Sequence, residues 1–526
     1  MKKRLIMFSL ITLLSFSCSN PTVKGFKEYY DYSWIQGDNA LTSEMPSIKN
    51  PKGDTNVLNS IRRSQNKMGL PTKGEANLLV VPINFEGDIG YQLINKNVDI
   101  TFSTNDLKDI KNVFFGNEND YPSVKTFYEA SSFNNLKLDG VVTPIVTLPK
   151  EYTSYLTKAH VSSASLSISE IIEYVYDYLF EVTKTYYVGD FDADNDGRVD
   201  AINIVCNYPS DISYGDTAID ATHLSLISHE NVYFTSDLLD KEKTKVNSYS
   251  MLSDSYRSSF KSKLFINQIG RMLGLDDYED KIGNTLTNYY RAPLSYFDMM
   301  SGFCLDHNSF SKYQLGWINP RFINYQDIEN EMTITLKSSI TSGEAIILYS
   351  NNKSLFGEYL MIDLYTLDGV NAYDSNNYSP YGVKAFDKEG VRVYQVDSTL
   401  VRGYKDNYLP YLSTPSFEET KTLPNGENVS YIYDYAYTNS YVSKYDLGTY
   451  PLVTMLSKNG VNRHMTNSNV LLSSSDLFLE GDSFGNDSQI DGFYKDFKFH
   501  NGDSLNITFT IDKIENGIAT ITLRRA

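Results

Sequence analysis

The sequence predicts an α+β domain followed by a β-sandwich-like C-terminal region. Three observations predict it. Residues 76–87 (ANLLVVPINFEG) are a nearly unbroken apolar run, the pattern of a strand buried on both faces. Residues 162–185 place Leu166, Ile168, Ile171, Ile172, Val175, Leu179, Phe180 and Val182 at helical spacing. From about residue 328 the pattern changes to strand-like runs, among them EMTITLKSS, EAIILYSN, GEYLMIDLYT, GVRVYQVDS and PLVTMLS.

The other elements follow from local chemistry. Residues 104–115 read as a helix with a Thr or Asn cap, and residues 123–130 as a second helix capped by Ser123. LKLDGVV (136–142) alternates as a strand does, and residues 201–206 form another strand. Residues 263–275 carry a helical pattern. Residues 309–320 give a short helix with a Ser cap, ending at Gly316. The chain closes on a hairpin whose turn is Asn516-Gly517. Residues 370–450 hold long Tyr-, Asn- and Ser-rich loops.

The chain has 526 residues, enough for a large core and one to three domains. Its net charge of -18 disfavours nucleic acid and anionic lipid as partners. The N-terminus joins a positive Lys2-Lys3-Arg4 to an apolar stretch over 5–16 that is too short to span a membrane comfortably. Ser17 then precedes Cys18. This resembles a bacterial lipoprotein signal in which Cys18 becomes the lipid-bearing first residue; an ordinary secretory signal is the alternative. Either way the mature chain is exported, to the cell surface on a lipid anchor or into the medium. Only Cys206 and Cys304 remain; export permits a disulfide between them, but two residues make no disulfide framework and two buried thiols are the expected state. The expected division is a signal over 1–18, a tether over 19–75, one domain over 76–325 and a β-rich domain over 326–526.

Two stretches carry chemistry. In DFDADNDGRVD, Asp192, Asp194 and Asp196 alternate, Gly197 follows, and Asp200 comes four residues after Asp196. Alternating carboxylates around a Gly turn suit a hard cation such as calcium. Asn203 stands where a helix–loop–helix calcium loop would carry a bidentate Glu, so a calcium loop leading into a strand and a solvated acidic turn both fit. The second stretch is NQIGRMLGLDDYED. Asn267 and Arg271 are four apart on one helical face, with Gln268 beside the first. Gly274 ends the helix and Asp277 follows. The same frame written HExxHxxGxxD holds zinc on two His and activates water with Glu.

Several of these pieces fall in one order: LLVVPINFEGD, SVKTFYEASSFNNLKLDG, the acidic loop, NQIGRMLGLDDYED, YFDMMSG, FSKYQLGWINP, GEYLMIDLYTLDG and GVRVYQVD. In that order the chain resembles the immune inhibitor A-like zinc metalloproteases, secreted bacterial endopeptidases, over roughly residues 76–400. The resemblance implies a zincin-like (metzincin/thermolysin-type) domain with a twisted mixed sheet, an active-site helix and a Met-turn at Met299 or Met300. It puts the family's first zinc His on Asn267, the catalytic Glu on Gln268, the second His on Arg271, the acidic residue on Asp277 and a further His on Gln395.

The departures from that pattern carry the functional expectation. Arg271 is a fixed cation that repels Zn²⁺, Asn267 is a poor zinc ligand, and Gln268 cannot take a proton from water. No zinc and no metal-dependent proteolysis are expected. Arg271 and Asp277 could instead pair where two ligands once converged. The alternative for His223, His229 and Glu230 as a joint metal site is poor, because an i, i+6 spacing shares no helix face. Two function classes remain. One is a non-catalytic, surface-anchored, metalloprotease-like lipoprotein that binds an extracellular protein, peptide or glycan. The other is an active secreted endopeptidase with a rebuilt site.

Overall fold

The computed structural model describes residues 69–86, 102–117, 120–150, 164–206, 232–234, 245–252, 262–275, 278, 292–302, 304–349, 358–378, 384–397, 400–404, 416–422, 428–435, 451–460, 462, 464, 470–485, 497–499 and 504–525. The signal segment with Cys18, most of the 19–75 stretch, His223, His229, Glu230 and Asp277 lie outside them.

Strand β1 (Gly74–Phe85) is central to the first sheet. It runs parallel to β2 (Leu136–Val142), β3 (Val146–Leu148) and β4 (Val199–Cys206). Beyond β4 lies β6 (Val246–Leu252), also parallel, and β5 (Val232–Phe234) closes that edge antiparallel. Leu78, Leu79, Val80 and Val81 are all fully buried, which requires layers on both faces.

Those layers are helical. Helices α1 (Thr104–Phe115), α2 (Val124–Ser131) and α4 (Lys263–Met272) share a core with Leu78 and Val80. Helix α3 (Ala164–Tyr176) covers Leu79, Val81 and Ile83 on the other side through Ile171, Ile172 and Val175. The α1 cap is Ser103, whose amide donates to the Asp106 carboxylate at 2.6 Å. Ser123 caps α2, accepting from the Thr126 amide at 3.2 Å. The helix expected over 162–185 changes pitch: residues Asp177–Val182 are a π-helix, and the Thr183 amide reaches back five residues to the Tyr178 carbonyl. The last residues of the expected tether are packed. Gly69 and Leu70 both donate to the Met272 carbonyl, and Trp317 Nε1 donates to the Thr72 carbonyl at 2.7 Å.

The chain then makes the short helices α5 (Met299–Gly302) and α6 (Ser309–Gln314). The α6 cap is Asn308, one residue before the expected Ser309. After β7 (Arg321–Asn324) come β8 (Glu331–Lys337), β9 (Ala345–Tyr349), β10 (Glu358–Tyr365), α7 (Ala372–Asn376) and β11 (Gly390–Asp397). Strands β12 (Leu400–Tyr404), β13 (Ser416–Thr422) and β14 (Asn428–Tyr435) form a separate three-stranded sheet. The last strands are β15 (Val453–Leu456), β16 (Ser483–Gly485), β17 (Ile507–Glu515) and β18 (Ile518–Arg525). Asn516 and Gly517 both take positive φ in the turn between β17 and β18, as a tight hairpin demands.

Two larger sheets result: β15-β11-β10-β9-β7 and β16-β17-β18-β8. Side-chain alternation in the five-stranded sheet separates its two faces. Leu360, Ile362, Leu364, Val391 and Val393 pack against Ile521, Leu523 and Phe509 of the four-stranded sheet. Tyr359, Met361, Tyr365, Tyr394 and Val396 face the other way, into the core that also contains α4 and α5. That core runs from Leu70 to Leu477 and crosses residue 325 without interruption. No helix among the described residues is long and apolar enough to cross a membrane.

Candidate functional site

Helix α4 is buried almost all round. Lys263 through Gly270 and Met272 are all inaccessible, and only Arg271 keeps partial exposure. It ends as its sequence requires. Gly274 takes φ +98°, and the amides of Gly274 and Leu275 return to the carbonyls of Arg271 and Gly270. The Tyr128 hydroxyl donates to the Ile266 carbonyl at 2.6 Å and fixes the helix against α2.

The frame side chains bond to each other and to the segment beneath. Asn267 Nδ2 donates to the Met299 carbonyl at 3.1 Å and lies 3.7 Å from Met300 Sδ. Its Oδ1 accepts from Arg271 Nε at 3.3 Å and from Gln268 Nε2 at 3.4 Å. The structure thus brings Asn267, Gln268, Arg271 and the Met299–Met300 segment into one cluster. It does so with neutral amides and a guanidinium, none of which offers an anionic or imidazole lone pair. These residues do not fit zinc. Asp277, the other half of the expected ion pair, lies outside the described residues; Arg271 Nε donates to Asn267 Oδ1.

The Met-bearing turn is held by Asp298. Its carboxylate accepts from the Met300 amide at 2.7 Å, the Asn308 amide at 2.7 Å and Asn308 Nδ2 at 2.9 Å. Burial still raises its pKa to about 6, against the pull of those bonds. Gly270 is where this turn touches the helix. A Cβ there would lie 2.6 Å from Met300 Sδ. His307 follows the turn and is 1% exposed, enclosed by Phe127, Tyr128 and Trp317. Neither ring nitrogen has a hydrogen-bond partner, and burial lowers its pKa to about 4. It is a neutral core residue.

The acidic loop lies between the 3₁₀ turn Val188–Phe191 and β4, apart from this cluster. Gly197 takes φ +86° and Asn195 φ +60°, so the chain turns back on itself. One carboxylate oxygen from each of Asp192, Asp194 and Asp200 lies within 4.8 Å of the others. Asp196 is not in this group. Its carboxylate accepts from the Arg198 amide at 2.8 Å and from Asn247 Nδ2 at 3.0 Å, which ties the loop to β6. Asp200 is 1% exposed; its Oδ2 accepts from the Ala193 amide at 2.9 Å, and its Oδ1 is buried without a partner. Burial, then the three neighbouring carboxylates, raise its pKa to about 7. A buried carboxylate oxygen facing two others fits a hard cation, held by Asp192, Asp194 and Asp200.

Gln395 lies in β11 opposite Leu360 and Thr454, and its Nε2 donates to Glu358 Oε1 at 3.4 Å. Cys206 and Cys304 form no disulfide and are buried in different cores. Three buried ion pairs escaped the sequence reading. Lys263 meets Asp374, with Tyr121 under its ammonium at 4.6 Å. Lys312 meets Asp306 at 2.5 Å. Arg392 grips Asp363 with two bonds, at 2.7 and 2.9 Å. Only the last had a visible signal, a charged residue within an apolar strand run on each of two adjacent strands. No protein-family model matches the chain, and no curated protein matches it.

Proposed function

We propose that this chain is a non-catalytic, exported, metalloprotease-like lipoprotein, anchored through Cys18, that acts by binding an extracellular protein, peptide or glycan. One observation carries the non-catalytic part: Asn267, the counterpart of a zinc ligand, spends its amide group on Met299, Gln268 and Arg271. A cation in that space would have to displace these bonds and sit beside a guanidinium. The mixed sheet, the buried helix and the methionine turn packed beneath it support a zincin-like scaffold for this reading. A calcium ion on Asp192, Asp194 and Asp200 belongs to the same reading, as a staple that ties the loop to the sheet.

The test is metal analysis and casein cleavage on the purified exported chain. Calcium without zinc, and no chelator-sensitive cleavage, are the expected results. Stoichiometric zinc together with chelator-sensitive cleavage would sink the proposal and favour an endopeptidase with a rebuilt site.

A further inference from the structure

A cavity of about 440 Å³ opens where the two sandwich sheets meet the α/β layers. Two aromatic residues, Phe133 and Trp317, line it. Leu336 and Ile346 also line it, together with the polar Asn319, Thr335 and Ser342 and the charged Arg321 and Glu344. A volume of this size holds a small molecule or the end of a peptide.

The two charged residues are not equivalent. Glu344 is already engaged: Oε2 accepts from the Lys337 amide at 2.9 Å and Oε1 lies 3.3 Å from Lys337 Nζ. Arg321 is exposed and has no carboxylate partner among the described residues. It is also placed unusually. In β7 it shares a face with Ile323, which packs into the core between the two sheets. Arg321 is thus an exposed cation at the edge of the sheet whose backbone face continues into that core, and it lines the cavity beside Phe133 and Trp317.

The aromatic wall is held at a conformational cost. Phe133 and Asn134 adopt φ +55° and +60°, a region that side chains other than glycine avoid. Across from Phe133, Gly343 takes φ +70°, and a Cβ on it would come within 2.8 Å of the Phe133 ring. Both sides of this contact are specified by backbone geometry, which keeps the ring at the cavity.

We propose that this cavity binds a free carboxylate attached to a flat apolar group, with Arg321 receiving the carboxylate and Phe133 and Trp317 receiving the apolar part. Such a group is presented by a peptide C-terminus ending in an aromatic residue, or by a small aromatic acid. An arginine that lines a cavity beside two aromatic side chains matches that pairing, because its guanidinium offers a forked donor set to a carboxylate. This site is separate from the helix α4 cluster, and it does not depend on whether that cluster is catalytic.

The experiment titrates the full exported chain with N-acetylphenylalanine, its amide, and a pentapeptide ending in Phe with a free or amidated terminus. Calorimetry reads the affinity. The acids are expected to bind saturably, and the amides roughly tenfold or more weaker. Arg321→Gln is expected to bring the acids down to the level of the amides, while Arg321→Lys keeps part of the difference. Tighter binding by the free-ended peptide than by N-acetylphenylalanine identifies a peptide end as the ligand; equal binding identifies a small acid. Arg321 also sits on an edge strand, where an inward charge can serve only to block sheet-to-sheet association. That role predicts that Arg321→Gln self-associates while its monomer still binds the acids more tightly than the amides, a result that overturns the proposal. So does acid binding that Arg321→Gln leaves unchanged.

Discussion

At the residue scale, the informative groups are buried and titratable. Asp200 has a folded pKa of about 7, well above its ordinary value of 3.8. Above pH 7 it is ionised in both the folded and unfolded states, and the folded state bears the full cost of a buried charge among other carboxylates. As pH falls from 7 towards 3.8 the folded state takes up the proton first, so this group adds stability on acidification. Calcium would act in place of that proton. Added calcium is therefore expected to raise the melting temperature more at pH 8 than at pH 5, as scanning calorimetry would record. Asp200→Asn and Asp192→Asn should abolish the calcium response. Asp196→Ala should keep it, because its carboxylate serves Arg198 and Asn247.

His307 and His464 have the opposite sign. Both have pKa values lowered to about 4 by burial, against an ordinary 6.5. Their stability contribution is complete above 6.5 and is lost as pH falls from there to 4, because the unfolded chain takes up the proton first. For His307 the loss is roughly 3 kcal/mol over that window. His307→Phe should shift the acid-unfolding midpoint to lower pH, since the ring is already surrounded by aromatic groups. An unchanged midpoint by circular dichroism would show that His307 is not what opens the core in acid.

At the element scale, α4 is held by what lies under it. Gly270 would ordinarily be a weak point in a helix, and alanine there favours helix by about 1 kcal/mol. Here the added carbon meets Met300 Sδ at 2.6 Å. Gly270→Ala is thus expected to destabilise by about 1–3 kcal/mol despite its better propensity, read from urea unfolding. Gly270→Ala combined with Met300→Ala should recover part of that loss. If the single variant is more stable than the parent, the contact between helix and turn is softer than the geometry implies.

At the scale of the whole molecule, three buried ion pairs among the described residues lie where the β-rich half meets the α/β half. Asp363 and Arg392 face each other across β10 and β11, and Ser309 of α6 donates to the same carboxylate at 2.5 Å. Lys263 at the start of α4 reaches Asp374 in α7. Lys312 reaches Asp306, which also accepts from Ser131 of α2 at 2.5 Å. Each joins parts of the chain through charges that cannot be left alone in a core. Asp363→Leu should cost about 3–5 kcal/mol, because it strands Arg392 in the apolar interior. Asp363→Leu with Arg392→Met should cost distinctly less. Equal costs for the single and the double variant in denaturant unfolding would mean that the pair is not coupled.

The sequence by itself determined the elements whose signal is local. The apolar run of β1, the Ser123 cap, the Asn516-Gly517 turn and the Gly274 stop all depend on neighbours a few residues away, and they form close to where the pattern put them. The residue types in the frame of α4 were likewise legible, since an arginine cannot serve as a zinc ligand wherever it folds. Only the tertiary structure decided how those side chains are used. Asn267 bonds to a carbonyl 32 residues away. Asp196 leaves the carboxylate group because Asn247 draws it to β6. The tether's last residues pack because Met272 and Trp317 offer them partners. The cavity at Arg321 exists only where a sandwich mouth, an α/β loop and a glycine turn converge. Such outcomes depend on contacts between segments far apart in the chain, and a linear pattern holds no record of which segments will meet.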